Sequence, residues 1–201
     1  FEAAASWVEM ADWIPAVLTA TDGPDRLRRC ICAAGHKAMF YPGEGYPEAD
    51  FLGALDPGLA RVRATLPEEA VDIADTVGTL CPAWAERLGL PPFVQVAAGA
   101  FDAHLGALGS GIRPGVLVKI LGTSSCDLAV APLEAALPEI PGLCGIVPES
   151  ILPGAYGLEA GQSAVGDIFN WFVQRIQPGG AEAGSHEALT AGAARLRPGE
   201  S

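Results

Sequence analysis

An aspartate that follows a strand pattern is the first residue of this chain that could do chemistry. The apolar run at 93–98 predicts a short buried strand, Gly99 interrupts it, and Asp102 opens a helix-like segment of small residues. A carboxylate at the end of a strand in an α/β sheet reaches the ligand crevice, where it can take a proton from a substrate hydroxyl. The pattern alone favours a helix cap for Asp102, because caps are more common, and packing rather than catalysis for His104.

Two glycine-containing connections could approach a phosphate group. Residues 122–125, Gly-Thr-Ser-Ser, form a predicted turn between two strands, and their backbone N–H and hydroxyl groups suit a phosphate. An ordinary hairpin turn uses the same residue types. Residues 157–167 join a strand to the helix predicted at 163–176, which Ser163 could cap. A plain strand–helix connection is the alternative, since neither a dinucleotide fingerprint nor a Walker loop is present.

The chain has only two lysines, and each has a distinct setting. Lys37 ends the segment Ala-Gly-His-Lys, which we predict to be a loop, and it could hold a sugar oxygen or a phosphoryl group. A plain surface lysine is the alternative. Lys119 lies inside an apolar strand, so we expect its stem to pack and its amine to reach an acid or the strand edge. Glu159 precedes a glycine turn and could bind a polyol hydroxyl.

Composition and charge exclude several classes of protein. The formal net charge is −12, which disfavours nucleic-acid binding, because that requires clustered lysine and arginine. No run reaches the ~18 apolar residues of a membrane span, and no signal peptide is recognisable. The five cysteines are scattered, which favours free buried thiols in a reducing cytoplasm over a metal site.

The order of elements predicts an α/β protein with a boundary near its middle. A helix is predicted at 1–19, with Pro15 bending it or starting a new turn, and Asp50 is a plausible cap of a short helix. A double proline at 91–92 separates this helical half from a half with several short strands. The last 20 residues predict a loosely held helix or a linker.

Several longer segments, taken together and in order, resemble the FGGY carbohydrate kinases, and within them the branch that acts on L-ribulose. The resemblance covers residues 1 to about 176 and is carried by FEAAASWVEMADWIPAVLTA at 1–20, AGHK at 34–37, VGTLCPAWAERLGL at 77–90, GAFDAHLGALGSG at 99–111, LVKILGTSSCDLAV at 117–130 and PGAYGLEAGQSAVGDIFNWF at 153–172.

This resemblance implies part of the two-domain fold of the actin-like ATPases and sugar kinases, which is ribonuclease H-like. Residues 1–96 correspond to the last part of the sugar-binding N-terminal domain. Residues 97–201 correspond to the first part of the nucleotide-binding C-terminal domain. The family's opening phosphate hairpin and its adenine-binding glycines have no counterpart in this chain, so we expect the chain to be an internal fragment without kinase activity of its own.

The resemblance also implies roles for particular residues. Asp102 corresponds to the catalytic base, and Lys37 and Glu159 correspond to sugar contacts. The residues that correspond to the phosphate loop and nucleotide contacts are Gly122, Thr123, Ser124, Gly161, Gln162, Gly166 and Asn170. Asn170 stands where other branches have glutamine.

The implied reaction is transfer of a phosphoryl group from ATP, with Mg²⁺, to L-ribulose, giving L-ribulose 5-phosphate in L-arabinose catabolism. The alternatives are a kinase of another ketopentose or polyol, such as D-ribulose or xylulose, and a sugar-binding fragment without transfer activity. The family further implies a cytoplasmic protein whose partners are a sugar and ATP, without nucleic acid or membrane, and a homodimer is possible.

Overall fold

A computed structural model describes residues 3–180 and 184–200 of the chain. Its contacts divide the chain into two compact units. The first contains the residues up to Val118 together with Leu128–Ala160, and the second contains Lys119–Asp127 together with the residues from Gly161 onward. This division follows contacts within the chain, and the domain boundary near residue 96 stays a prediction.

The described residues form eight α-helices, one π-helical segment and six strands. The helices are α1 (Met10–Thr19), α2 (Ile31–Ala38), α3 (Ala49–Leu55), α4 (Pro57–Arg63), α5 (Pro82–Leu88), α6 (Asp102–Gly109), α7 (Gly166–Trp171), which continues into the π-helical segment Phe172–Ile176, and α8 (His186–Ala193). The strands are β1 (Thr76–Thr79), β2 (Gln95–Ala97), β3 (Val118–Leu121), β4 (Ser125–Pro132), β5 (Gly145–Pro148) and β6 (Ala155–Gln162).

The strands form two sheets. Strands β1 and β2 pair antiparallel, and the other four strands have the order β3-β4-β6-β5. In the antiparallel pair β5–β6, Gly145 lies opposite Glu159 and Val147 lies opposite Gly157. The sheet thus places Glu159 beside a residue without a side chain.

Helix α2 is buried on two sides in the first unit. Cys30 and Cys32 belong to one apolar cluster, with Val71, Val77 and Ala98. Ile31 and Ala34 belong to a second cluster, with Phe40, Tyr46 and Val147. The N-terminal end of α2 therefore packs into both clusters, and this packing fixes its position.

The first predicted helix is shorter than its pattern indicates. It begins at Met10 instead of residue 1, and Pro15 lies inside it. The preceding segment makes other hydrogen bonds: the Arg29 guanidinium donates to the Trp7 carbonyl, and the Ser6 hydroxyl lies 2.8 Å from that of Thr65. Since tertiary contacts engage this segment, its approximate helical spacing does not yield a helix. Residues 1 and 2 lie outside the described part.

The predicted loop around Lys37 and the predicted start of the last long helix are both wrong. Lys37 lies in the last turn of α2. Helix α7 begins at Gly166, and Ser163 does not cap it. Asp50 is also not a cap, because α3 begins at Ala49 and Asp50 lies in its first turn.

The five cysteines are free thiols, but they are not all buried. Cys30 and Cys32 are buried, and burial raises the pKa of Cys30 to about 11 and that of Cys32 to about 12. Cys144 is exposed, so the expectation of buried thiols is wrong there. In the part of the chain that the structure describes, no helix has the length and apolar character that crossing a membrane requires.

Candidate active site

Three elements of the first unit meet at the side chain of Glu159. The Oε2 atom of Glu159, on β6, lies 3.3 Å from Nδ1 of His36 on α2 and 3.3 Å from Nε2 of His104 on α6. The two imidazole rings lie 4.9 Å apart between centroids. His104 is 1% exposed and Glu159 is 24% exposed, so the carboxylate is the part of this cluster nearest to solvent.

The three residues that the resemblance predicts at the sugar site belong to this cluster or are close to its members in the sequence. Lys37 follows His36, Asp102 precedes His104 by two residues, and Glu159 is itself a member. The Lys37 ammonium lies 5.5 Å from the centroid of the Phe101 ring, next to Asp102. The fold therefore brings residues 37, 102 and 159 into one neighbourhood of the first unit.

Asp102 is the first residue of α6, and its carboxylate does not cap the helix. Phe101 occupies the capping position, and Oδ1 of Asp102 accepts a hydrogen bond only from the N–H of Ala103, at 2.8 Å. Within the described residues, Oδ2 has no hydrogen bond, and the side chain is exposed. The cap that the pattern favoured is wrong, and one carboxylate oxygen is available to an incoming hydroxyl.

Burial decides the charge of His36. It lowers the pKa of His36 from 6.5 to about 4, helped by the neighbouring His104 and Lys37 charges and opposed by Glu159. His36 is therefore neutral at pH 7. Its Nε2 lies 3.1 Å from the Ser150 hydroxyl, which in turn donates to the Val147 carbonyl.

The pKa of His36 predicts how folding stability depends on pH. Between pH 6.5 and 4 the unfolded chain binds a proton that the folded chain excludes, so the stabilisation is complete above pH 6.5 and is lost as the pH falls through 4. A shift of this size corresponds to roughly 3 kcal/mol. Urea unfolding should therefore show His36→Asn with a weaker loss of stability between pH 7 and 4 than the wild type.

Asp12 should contribute the opposite pH dependence of stability, so it serves as a control for that measurement. Burial raises the pKa of Asp12 from 3.8 to about 6, and its Oδ1 accepts a hydrogen bond from the N–H of Cys30 at 2.9 Å. The folded state therefore binds this proton more tightly, and the stabilisation present below pH 3.8 is lost as the pH rises through 6. Asp12→Asn should steepen the acid destabilisation, and an unchanged pH profile in both variants would contradict both assignments.

The predicted phosphate loop and the start of α7 lie together in the second unit. The N–H of Gly166 donates to the Gly122 carbonyl at 3.1 Å, and the N–H of Val165 donates to the Thr123 carbonyl at 2.6 Å. A Cβ atom at position 166 would lie 2.7 Å from the Gly122 oxygen, so glycine is needed for this approach. The Ser124 carbonyl accepts from the N–H of Gly122, and residues 122–124 are exposed, whereas Ser125 is buried.

The remaining predicted nucleotide residues are also in the second unit. Gly161 and Gln162 end β6 and are exposed. Asn170 lies on α7, and its Oδ1 atom is 3.3 Å from Nε2 of His186.

Lys119 is paired with Asp127, which confirms the expectation that its amine reaches an acid.

Sequence reasoning did not find a second polar cluster in the first unit. A cavity of about 340 Å³ is lined by Trp7, Asp12, Arg29, Lys37 and Tyr46, among others, but not by Asp102 or Glu159. Nη1 of Arg29 and the Tyr46 hydroxyl are buried without hydrogen-bond partners among the described residues. The residues that line this cavity are dispersed in the sequence, so no local motif indicated it. No motif indicated the long-range contacts of His36 with Glu159 and Ser150 either.

Comparison with known proteins identifies the class to which this architecture belongs. Residues 117–199 match the family model described as "FGGY family of carbohydrate kinases, C-terminal domain". Among solved structures, the xylulose kinase from Rhodospirillum rubrum has a TM-score of 0.73 and 26% identity, covering 99% of this chain and 38% of that one. The xylulose kinase from Bifidobacterium adolescentis, 16% identical with a TM-score of 0.67, covers 97% and 40% and shares the fold. The chain belongs to the FGGY family of carbohydrate kinases.

Curated relatives indicate which branch of that family the chain resembles. The ribulokinase of Vibrio parahaemolyticus is 47% identical over 169 residues, covering 83% of this chain and 30% of the relative. The ribulokinase of Shouchella clausii is 42% identical over 209 residues, covering 100% and 36%. The chain thus spans about a third of the length of these relatives. The predicted resemblance to the ribulokinase branch of the family is confirmed.

Proposed function

We propose that this chain is part of an ATP-dependent ribulokinase that converts L-ribulose into L-ribulose 5-phosphate. The observation that carries the proposal is the convergence of Lys37, Asp102 and Glu159 beside one buried histidine pair, although 122 residues separate the first from the last. The curated relatives, which are ribulokinases, support the substrate.

In this proposal Asp102 is the general base. Its carboxylate takes the proton of the terminal sugar hydroxyl while that oxygen forms a bond to the γ-phosphorus of ATP. The bond from that phosphorus to the bridging oxygen breaks, and ADP leaves with the electron pair. The exposed Asp102 carboxylate, with one oxygen outside any hydrogen bond among the described residues, suits this role.

Lys37 and Glu159 orient the sugar in the same proposal. The ammonium group donates to sugar oxygens, and the carboxylate accepts from sugar hydroxyls. The Glu159 carboxylate is only 24% exposed and lies against the buried imidazoles, where water competes less for such hydrogen bonds. Positioning of this kind is the main contribution that a protein makes to phosphoryl transfer.

The nucleotide enters the proposal as the substrate MgATP. The glycines at 122, 161 and 166 let the backbone approach phosphates closely, and Gly166 already has no room for a side chain. Thr123, Ser124, Gln162 and Asn170 supply hydroxyl and amide groups around it. Bound Mg²⁺ would neutralise phosphate charge, mostly through water and phosphate ligands. The family's domain boundary near residue 96, a cytoplasmic location and a homodimer belong to the same proposal.

ADP release by a full-length kinase that contains this chain tests the proposal. The panel is L-ribulose, D-ribulose, D-xylulose, L-xylulose and glycerol, each with MgATP. We expect L-ribulose to give the highest kcat/KM. D-Xylulose is the main competitor, because the chain is similar to the xylulose kinase from Rhodospirillum rubrum. If D-xylulose gave the highest kcat/KM, the assignment as a kinase would stand and the assignment of L-ribulose as the substrate would be wrong. Sugar binding without ADP release would overturn the kinase activity itself.

A further inference from the structure

The Glu159 carboxylate is held by two buried imidazoles, for which the reaction described above has no use. His36 and His104 are 6% and 1% exposed, and each places a ring nitrogen 3.3 Å from the same oxygen, Oε2. Gly145, opposite Glu159 across the β5–β6 pair, leaves space for the His36 ring: a Cβ atom there would lie 2.8 Å from Nδ1. The sheet is therefore shaped to admit this contact.

Ser150 anchors the far side of the His36 ring. The Ser150 hydroxyl donates to the Val147 carbonyl at 3.1 Å, and it also lies 3.1 Å from Nε2 of His36. The other ring nitrogen, Nδ1, faces Oε2 of Glu159 at 3.3 Å. The His36 ring is therefore held between Ser150 and Glu159.

His104 has no other use for its polar atoms in the described structure. Its two ring nitrogens are buried and lack hydrogen-bond partners among the described residues. A buried polar group in that state costs about 1–3 kcal/mol, so the 3.3 Å approach to Glu159 is its available compensation. Contacts of this kind are often long in a free enzyme and shorten when substrate binds.

We propose that His104 and His36 are positioning residues, which fix the Glu159 carboxylate in the orientation that accepts a sugar hydroxyl. This inference rests on the proposed function, because Glu159 is a sugar contact only within it. Nε2 of His104 donates its N–H to Oε2 as their 3.3 Å approach tightens in the sugar complex, and His36, anchored by Ser150, limits rotation of the carboxylate from the other side. Misplacing a binding group by about 1 Å can cost 10²-fold in rate, so the pair should affect the sugar more than ATP.

The same three side chains could in principle ligate a metal ion, and their spacing argues against it. The candidate ligand atoms lie within 4.8 Å of one another. Two nitrogens on one zinc ion, each at about 2.0–2.1 Å, lie at most about 4.2 Å apart, so a spread reaching 4.8 Å requires the rings to move. Stoichiometric zinc in the purified protein, lost in the variants below, would overturn the positioning role.

The first test compares His104→Phe with His104→Gln in the full-length kinase. Phenylalanine keeps the ring volume and removes the N–H, whereas glutamine restores an N–H donor. We expect His104→Phe to raise the KM for the sugar about 10-fold or more, with the KM for ATP within 2-fold of the wild type, and His104→Gln to recover part of the loss. Equal rises in both KM values, or no recovery with glutamine, would indicate a structural role only.

A double-mutant cycle shows whether His104 acts through Glu159. If it does, His104→Phe should add no further rise in sugar KM to Glu159→Gln, whereas independent effects would multiply. Multiplying effects would overturn the proposal. Where His104→Phe does not fold, as judged by its urea unfolding curve, His36→Gln takes its place in the cycle with the same expectation.

Nitrogen-15 NMR of labelled histidine separates this proposal from the proposed function. In the full-length protein, Glu159→Gln should shift the resonances of His104 Nε2 and His36 Nδ1, whether or not any sugar is phosphorylated. Unchanged resonances would overturn the positioning role even if the kinase is active. A shift in a protein that releases no ADP with any sugar would retain the contact and leave the proposed function overturned.

Discussion

Replacing Asp102 with asparagine should lower kcat for the sugar about 10²–10⁴-fold, the contribution usual for a positioned general base. Asparagine keeps the shape of the side chain and can still accept the hydrogen bond from the N–H of Ala103. It cannot take the proton of the sugar hydroxyl. The measurement is steady-state ADP release by the full-length kinase at saturating MgATP and sugar.

Asp25→Asn is a matched control for this prediction. Asp25 is also an exposed aspartate of the first unit, and it lies in the turn that follows α1. Its replacement should leave kcat within 2-fold of the wild type. If Asp102→Asn remained within 10-fold of the wild type, Asp102 would not be the base.

Replacing Gly99 with alanine should cost about 3 kcal/mol or more of folding free energy, the upper end of the usual penalty for overpacking. A Cβ atom at position 99 would lie 1.8 Å from the Ala11 carbonyl oxygen and 2.6 Å from its carbon. These are backbone atoms of α1, so no side-chain rotation relieves the clash. Urea unfolding of the two proteins measures the difference.

Gly109→Ala separates this clash from the general effect of alanine. Gly109 ends α6, and a Cβ atom there would meet nothing within 4 Å. The substitution should be neutral or stabilising by up to about 1 kcal/mol, because alanine has the higher helix propensity. Similar stability in the Gly99 and Gly109 variants would show that α1 moves away from position 99 at little cost.

The sequence patterns identified the strands better than the helices that carry the site. The runs around 118–121 and 125–132 are strands, as predicted. Helix α2 was missed because Ile31, Cys32, Ala33 and Ala34 are all buried. Its polar residues, His36 and Lys37, lie only in the last turn and follow Gly35, so this end of the helix resembles a loop in the sequence.

The last long helix, unlike α2, was predicted from its sequence pattern. The helix predicted at 163–176 has apolar residues along one face, and a helix forms there, but Ile168, Phe169 and Phe172 are 46%, 63% and 44% exposed. Periodicity reports which residues are suited to burial and not what covers them. A sequence pattern thus predicted the element and its face but not its environment in the described structure.

The Glu159 cluster could be predicted only in part. The resemblance pointed to Lys37, Asp102 and Glu159 because motifs carry them. The contact between His36 and Glu159 spans 123 residues and depends on Gly145 having no side chain. No local pattern encodes such a contact, since it arises from the register of β5 against β6 and from the packing of α2.

The scarcity of lysine makes this chain unusually simple to label. Lys37 and Lys119 are its only side-chain amines, and Lys119 is paired with Asp127. Lys37 is exposed in the last turn of α2. An acylating reagent therefore has two lysine targets in this chain, and of the two only Lys37 lies at a proposed sugar contact. Mass spectrometry of the peptide that contains Lys37 can report ligand occupancy as a single change in mass, without any measurement of phosphate transfer.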